Sequence, residues 1–285
     1  YNMQGTRLTR TMDDIVGRLQ GDVIALQGTQ LPAWRYSFDS TQSVAVRHTM
    51  GYHTWNWPWF PTEHVNRSCG VSIALHRTRF RTTDVTQVYT PPNHLRGRAG
   101  AIRVQLNSRY DAFLSSLYLP PIHSAQDKLT TRLLLNWLEE TIQSLPHRCL
   151  PFIFTDANGG VGLTSKPSQR DLVQHAVGPY CPELQSYNGQ SLAEMCQRQH
   201  MVLANTFRSE GCGPTFFHYP WESRIDYIAI PDGCLSRIKA CRTWRRTGRS
   251  IQASSAIGLM DHIPLALDLA IAPANSSTRT DNNRW

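Results

Sequence analysis

Several short apolar runs in this chain begin or end on an acid, an amide or a hydroxyl, and that pattern narrows the folds open to it. "LPFIFTDANGG" closes on Asp156 and Asn158, "SLYLPP" on Tyr118, and "DVIALQGT" on a Gln-Gly-Thr step at Gly28. "RIDYIAI" opens on Asp226 and "MDHIPLAL" on Asp261 and His262. Runs of this length and composition read as buried strands. Strands with polar ends gather their polar groups along one rim of a sheet, which is where open α/β sheets place their chemistry.

The strands do not stand alone. "TRTMDDIVGRLQ" carries Met12, Ile15, Val16 and Leu19 at helical spacing and feeds directly into "DVIALQGT". "AQDKLTTRLLLNWLEETIQSL" is an amphipathic helix with Leu129, Leu133, Leu134, Trp137, Leu138 and Ile142 on one face, and "SLAEMCQRQH" is another helix. From about Val44 to Leu119 the chain turns to strands such as "CGVSIALHR", "AGAIRVQL" and "DAFLSSLYLP". "HIPLALDLAI" adds a late strand. Mixed order of this kind predicts an α/β protein in layers, two β-sheets flanked by helices. We place one domain over residues 1–271 and read 272–285, "PANSSTRTDNNRW" at its end, as a polar tail or linker.

Composition adds bounds. A chain of 285 residues, 40% hydrophobic and 18% charged, can bury a sizeable core. No apolar run is long enough to span a membrane, and the first residues lack the apolar stretch of a signal peptide. Seven scattered cysteines without a CxxC pair point to reduced thiols in an intracellular protein, and away from a zinc site. The net charge is +8, and lysines are few, so the basic groups are mostly guanidinium forks suited to phosphate. "SRIKACRTWRRTGRS" concentrates Arg237, Lys239, Arg242, Arg245, Arg246 and Arg249 without an acid, as a backbone-phosphate contact requires. "HTWNWPWFP" brings Trp55, Trp57 and Trp59 into what reads as one loop, more often folded onto its own domain than stacked on bases.

Singly, each strand-end cluster has a bland explanation, because Asp-x-Asn after a strand is usually a turn. Asp226 is the most telling, since an acid in an apolar strand needs a partner. In order, "YNMQG", "DVIALQGT", "CGVSIAL", "SLYLPP", "FIFTDANGGVG", "PTFFHYPWESRIDYIAI" and "MDHIPLAL" resemble the endonuclease/exonuclease/phosphatase family, most closely its LINE-type retrotransposon endonuclease branch. The resemblance implies the DNase I-like sandwich and magnesium-dependent phosphodiester cleavage of DNA. It implies a retroelement polyprotein with a reverse transcriptase domain as partner, at work in the nucleus. It places Asn2 on the active-site floor and Tyr118 against the scissile phosphate. Asp156 becomes the acid that orients or deprotonates water, and Asn158 the amide that holds phosphate. Asp226 buttresses the catalytic His262, Asp261 helps hold metal, and Thr215 lies near the substrate, with Arg245 and Arg246 on the phosphate backbone.

Two positions depart from the family pattern. The strand that normally ends "LQET" here reads "LQGT", so Gly28 stands where the metal-binding glutamate belongs, and Met260 replaces the serine before Asp261. Gln4, Gln27 or Gln30 could offer neutral oxygens in compensation. The rival expectation is a nucleic-acid-binding module of the same fold that no longer cuts. A lipid or inositol phosphatase is a third.

Overall fold

The computed structural model describes residues 12–30, 44–49, 51–59, 69–163, 175–180, 182–211, 213–252 and 261–271. In chain order the elements are α1 (Met12–Leu19), β1 (Val23–Gln27), β2 (Ala45–Thr49), β3 (Tyr52–Trp57), β4 (Val71–His76), β5 (Val85–Tyr89), β6 (Ala99–Gln105) and β7 (Asp111–Tyr118). There follow α2 (Ala125–Gln143), β8 (Cys149–Asp156), β9 (Gly162–Leu163), β10 (Glu183–Leu184), α3 (Tyr187–Arg198) and β11 (Met201–Leu203). The chain continues through β12 (Phe216–His218), β13 (Trp221–Ser223), β14 (Asp226–Pro231), β15 (Ile238–Thr243), α4 (Arg245–Ile251), β16 (Asp261–His262) and β17 (Leu265–Leu269).

Two sheets carry the fold. One has four strands in the order β1-β4-β3-β2, the other six in the order β11-β14-β8-β7-β6-β5. Every residue of β7 is buried, as a central strand covered on both faces requires. β7 and β8 pair in parallel, and α2 supplies the crossover that a parallel pair needs. Between the sheets lies an apolar layer in which Trp55, Trp57, Val71, Ile73 and Leu75 meet Ile102, Val104, Leu114, Phe152 and Ile228. Leu134, Leu138, Leu192 and Met195 of α2 and α3 cover the outer face of the six-stranded sheet against Phe113, Leu117 and Ile153. Ile15, Val16 and Leu19 of α1, with Ile251 of α4, cover the other sheet against Ile24, Leu26 and Ala74. The result is the expected two-layer β-sandwich flanked by helices.

Three local expectations change. The Trp-rich segment is not a loop but strand β3, whose two-residue period turns Trp55 and Trp57 together into the core. Trp57 lies flat on Gly100 of the facing sheet, where a Cβ would meet the indole at 2.0 Å, so only glycine fits there. The buried face of α2 is centred on Thr131, Leu134, Leu135 and Leu138, and Leu129 is exposed. The arginine run, free of acids in sequence, forms β15 and α4, and the fold brings an acid to it, with Arg242 paired to Asp268 at 3.1 Å.

Candidate active site

Three neighbouring strands of the larger sheet deliver the expected residues to one rim. Register fixes them: Tyr118 is the β7 partner of Asp156, and Asp226 is the β14 partner of Asp156. Directly opposed residues of paired strands project to the same face. Along β8, Phe152 faces the inter-sheet layer, and a step of two residues at a time carries that face to Asp156. The acids therefore sit where the apolar layer ends.

His262 reaches them from β16. That strand pairs with β12, opposing His262 to Phe216, whose ring stands 4.9 Å from the imidazole. His262 Nδ1 donates to Asp226 Oδ2 at 2.9 Å, and its Nε2 lies 3.8 Å from Asp156 Oδ2. The second separation is too long for a hydrogen bond, and an oxygen that met both groups would lie to one side of the line joining them. All three side chains are buried. Burial by itself would discharge the imidazole, but Asp226, Asp156 and Asp261 outweigh it and lift the His262 pKa to about 9. At neutral pH His262 is an imidazolium, a hydrogen-bond donor from both nitrogens.

That charge state carries a stability prediction. A raised pKa means that the ion-pair stabilisation is complete below the ordinary value of 6.5 and is lost as pH rises through about 9. Wild type should lose on the order of 3 kcal/mol across that window in metal-free buffer. Denaturant unfolding at both ends of the window measures it against His262→Gln, in which this titration is gone. Equal losses in the two proteins would show that His262 is not charged in the native state.

Several residues hold the site without entering it. Thr215, expected near substrate, is fully buried, and its hydroxyl oxygen accepts the backbone N–H groups of Ile225 and Asp226 at 3.2 and 3.1 Å. It sets the start of β14 instead. Asn205 does similar work, donating to Asp226 O and accepting from Ile228 N–H. Asn188 of α3 donates to Pro120 O and Ala157 O at 2.9 and 2.7 Å, clamping the turns that follow Tyr118 and Asp156. Arg224 is wholly buried, and its guanidinium donates to Tyr180 O at 3.2 Å. Sequence reading overlooked Asn188, Asn205 and Arg224. The available signal was an amide on the buried face of a helix for Asn188, and none for the others.

The remaining expected residues are placed as follows. Asn158 has φ 46°, its N–H donates to Asp156 Oδ1, and its amide donates to Leu119 O at 2.8 Å, so part of its donor capacity is spent on the turn. Asp261 accepts the N–H of His262 at 3.0 Å, and burial foremost raises its pKa. Arg245 is exposed and lies over the ring of Phe217, 5.6 Å from its centroid, and Phe217 is the β12 partner of Asp261. Arg246 is exposed on α4. Asn2, Gln4 and Met260 lie outside the described residues.

Gly28 ends β1 with φ 58°, in the left-handed region, and Thr29 N–H then donates to Gly70 O at 3.0 Å. Gln27 Nε2 donates to Ser116 Oγ at 2.9 Å and to Phe154 O at 3.1 Å, which fixes the orientation of its amide. Among the described residues, the acids and histidines that could hold a cation are Asp156, Asp226 and His262, whose candidate ligand atoms lie within 4.8 Å of one another. Asp226 Oδ1 is buried and has no hydrogen-bond partner, which is what a carboxylate awaiting a cation looks like. Protonated His262 has no lone pair to offer, so the fit is that of a hard ion held by the two carboxylates. Asp261 is not in that group.

No protein-family model and no curated protein matches the chain. Solved structures do. The 3′ phosphatase NExo from Neisseria, solved with a product DNA hairpin, aligns over 88% of this chain and 89% of its own at 15% identity and TM-score 0.56. An AP endonuclease from Archaeoglobus fulgidus aligns over 90% and 91% at 14% identity and TM-score 0.58. The endonuclease domain of TRAS1, a telomere-specific non-LTR retrotransposon, aligns over 96% and 97% at 14% identity and TM-score 0.53. The chain has the DNase I-like, endonuclease/exonuclease/phosphatase fold of these nucleases.

Proposed function

We propose that this chain is a metal-assisted phosphodiester hydrolase that nicks DNA, the endonuclease domain of a retroelement polyprotein. The Asp226–His262–Asp156 constellation is the observation that carries the reading, because it supplies a donor and a base at one gap. Imidazolium His262, oriented by Asp226, donates to a non-bridging phosphate oxygen and offsets the charge that develops there. Asp156 accepts the proton of the attacking water, and Tyr118 and Asn158 position the phosphate. Asp156 and Asp226 would hold magnesium, which when bound neutralises phosphate charge and acidifies water. Arg245, exposed beside β12, and Arg246, exposed on α4, suit the flanking backbone.

The likeness to the TRAS1 domain over nearly the whole of both chains supports the retroelement assignment. On that reading the domain spans residues 1–271, a reverse transcriptase domain belongs to the same polyprotein, and the work is nuclear. Among the described residues no helix is long and apolar enough to cross a membrane. A second reading is favoured by Gly28: a DNA-binding module that has lost its metal-binding glutamate and no longer cuts. Supercoiled plasmid incubated with the protein in magnesium or in EDTA separates them. Nicking only in magnesium supports the hydrolase, and binding without nicking in either buffer supports the module.

A further inference from the structure

Arg98 stands where three segments of the site meet. Its carbonyl accepts the N–H of Tyr118 at 2.7 Å, and the carbonyl of Gly97 accepts the N–H of Gly70, whose own carbonyl accepts Thr29 N–H. The ends of β1 and β7 and the start of β4 thus fix its backbone. The guanidinium is half-buried over the ring of Tyr118, with Cζ 5.6 Å from the centroid. Its Nη1 is shielded from solvent and has no hydrogen-bond partner. Among the described residues no carboxylate pairs with it.

Several other guanidiniums among the described residues have protein acceptors. Arg103 donates to Asp111, Arg198 to Glu139, and Arg224 to a backbone carbonyl. A charged donor withdrawn from water and left unpaired carries a large desolvation cost. Such a group is retained where a ligand completes it. The ligand must be anionic and must approach along Tyr118, the strand neighbour of Asp156. A guanidinium fork matches two phosphate oxygens, and the aromatic ring beneath it restricts its orientation before the ligand arrives.

We infer that Arg98 holds a phosphate of the bound strand at the site, with the ring of Tyr118 as its platform. This rests on nucleic acid being the substrate and adds a cationic contact that belongs to the protein itself. Gly28 removes a negative charge from the end of β1, so the local balance around Arg98 favours an anion further.

Binding of a short DNA duplex by the intact protein in EDTA, measured by anisotropy over a salt series, tests it. Arg98→Gln should bind about tenfold to a hundredfold more weakly, with a log–log salt slope reduced by about 0.9. Arg98→Lys should keep the slope and recover only part of the affinity, because it lacks the fork. Duplexes carrying one neutral methylphosphonate at successive positions locate the contact. At the phosphate that Arg98 holds, wild type and Arg98→Gln should bind alike, and elsewhere they should differ. A folded Arg98→Gln with unchanged affinity and slope overturns the inference, as does a loss that is the same on every modified duplex, or a wild type without affinity for DNA. The nicking assay in magnesium is independent. Arg98-dependent binding without nicking sinks the hydrolase reading and leaves the contact standing, and nicking with Arg98-independent binding does the reverse.

Discussion

Asp156→Asn is expected to slow plasmid nicking by about 100- to 10,000-fold while the protein stays folded. The two effects separate because of what Asp156 touches. Its Oδ1 accepts the N–H of Asn158, a bond that an amide oxygen can also accept. Its Oδ2 stands 3.8 Å from His262 Nε2, beyond hydrogen-bond range, and the imidazolium keeps Asp226 at 2.9 Å. The charge and the basicity are what disappear. An asparagine cannot take the proton of water, and the gap in front of His262 loses its acceptor. Duplex binding should hold or tighten slightly, because one negative charge near the phosphate is gone. His262→Ala should also stop nicking, but it leaves two buried carboxylates without their cation and should cost about 3–5 kcal/mol of stability. A folded Asp156→Asn protein that nicks within threefold of wild type would remove Asp156 from the chemistry.

Gly28→Glu is expected to lower the magnesium concentration for half-maximal nicking by about tenfold or more, since a direct carboxylate ligand should matter at least as much as an outer partner of a metal site. It would place an oxygen donor at the end of β1, to join the carboxylates of Asp156 and Asp226, which belong to a cluster that could hold a metal ion. The backbone sets a cost. With φ 58° at position 28, any side chain sits in the left-handed region, at roughly 1–2 kcal/mol. Gly28→Gln carries the same strain without the charge, so it should show the drop in melting temperature and little of the gain in magnesium affinity. Gly28→Glu combined with Asp156→Asn should be inactive. If the folded Gly28→Glu protein binds duplex and still fails to nick at any magnesium concentration, the missing glutamate is not the defect. The binding-module reading then leads.

Much of the architecture was readable because it is written in local periods. A two-residue alternation or an apolar run identifies a strand wherever it occurs, and the 3.6-residue spacing of Ile15, Val16 and Leu19 identifies α1 as a helix. Polar residues at strand ends likewise foretold a polar rim. The same logic failed at the tryptophans, where a dense aromatic cluster reads as a loop. Burial of Trp55 and Trp57 against the facing sheet gives that segment its strand, and a facing sheet is not a local property.

The sequence by itself determined which residue types stand at the rim: Tyr118, Asp156, Asp226 and His262, with glycine at 28. Only the tertiary structure decided which of them touch and in what charge state. The register of β14 on β8 opposes Asp226 to Asp156, and the pairing of β16 with β12 carries His262 to both. Register depends on how whole faces pack and on what closing each loop costs, so no short stretch encodes it. The same holds for donors. Whether a hydroxyl or guanidinium is free to meet a ligand depends on what the fold brings beside it. Thr215 finds two backbone N–H groups and becomes a support, whereas Arg98 lies over the face of Tyr118 with its buried Nη1 unpaired among the described residues.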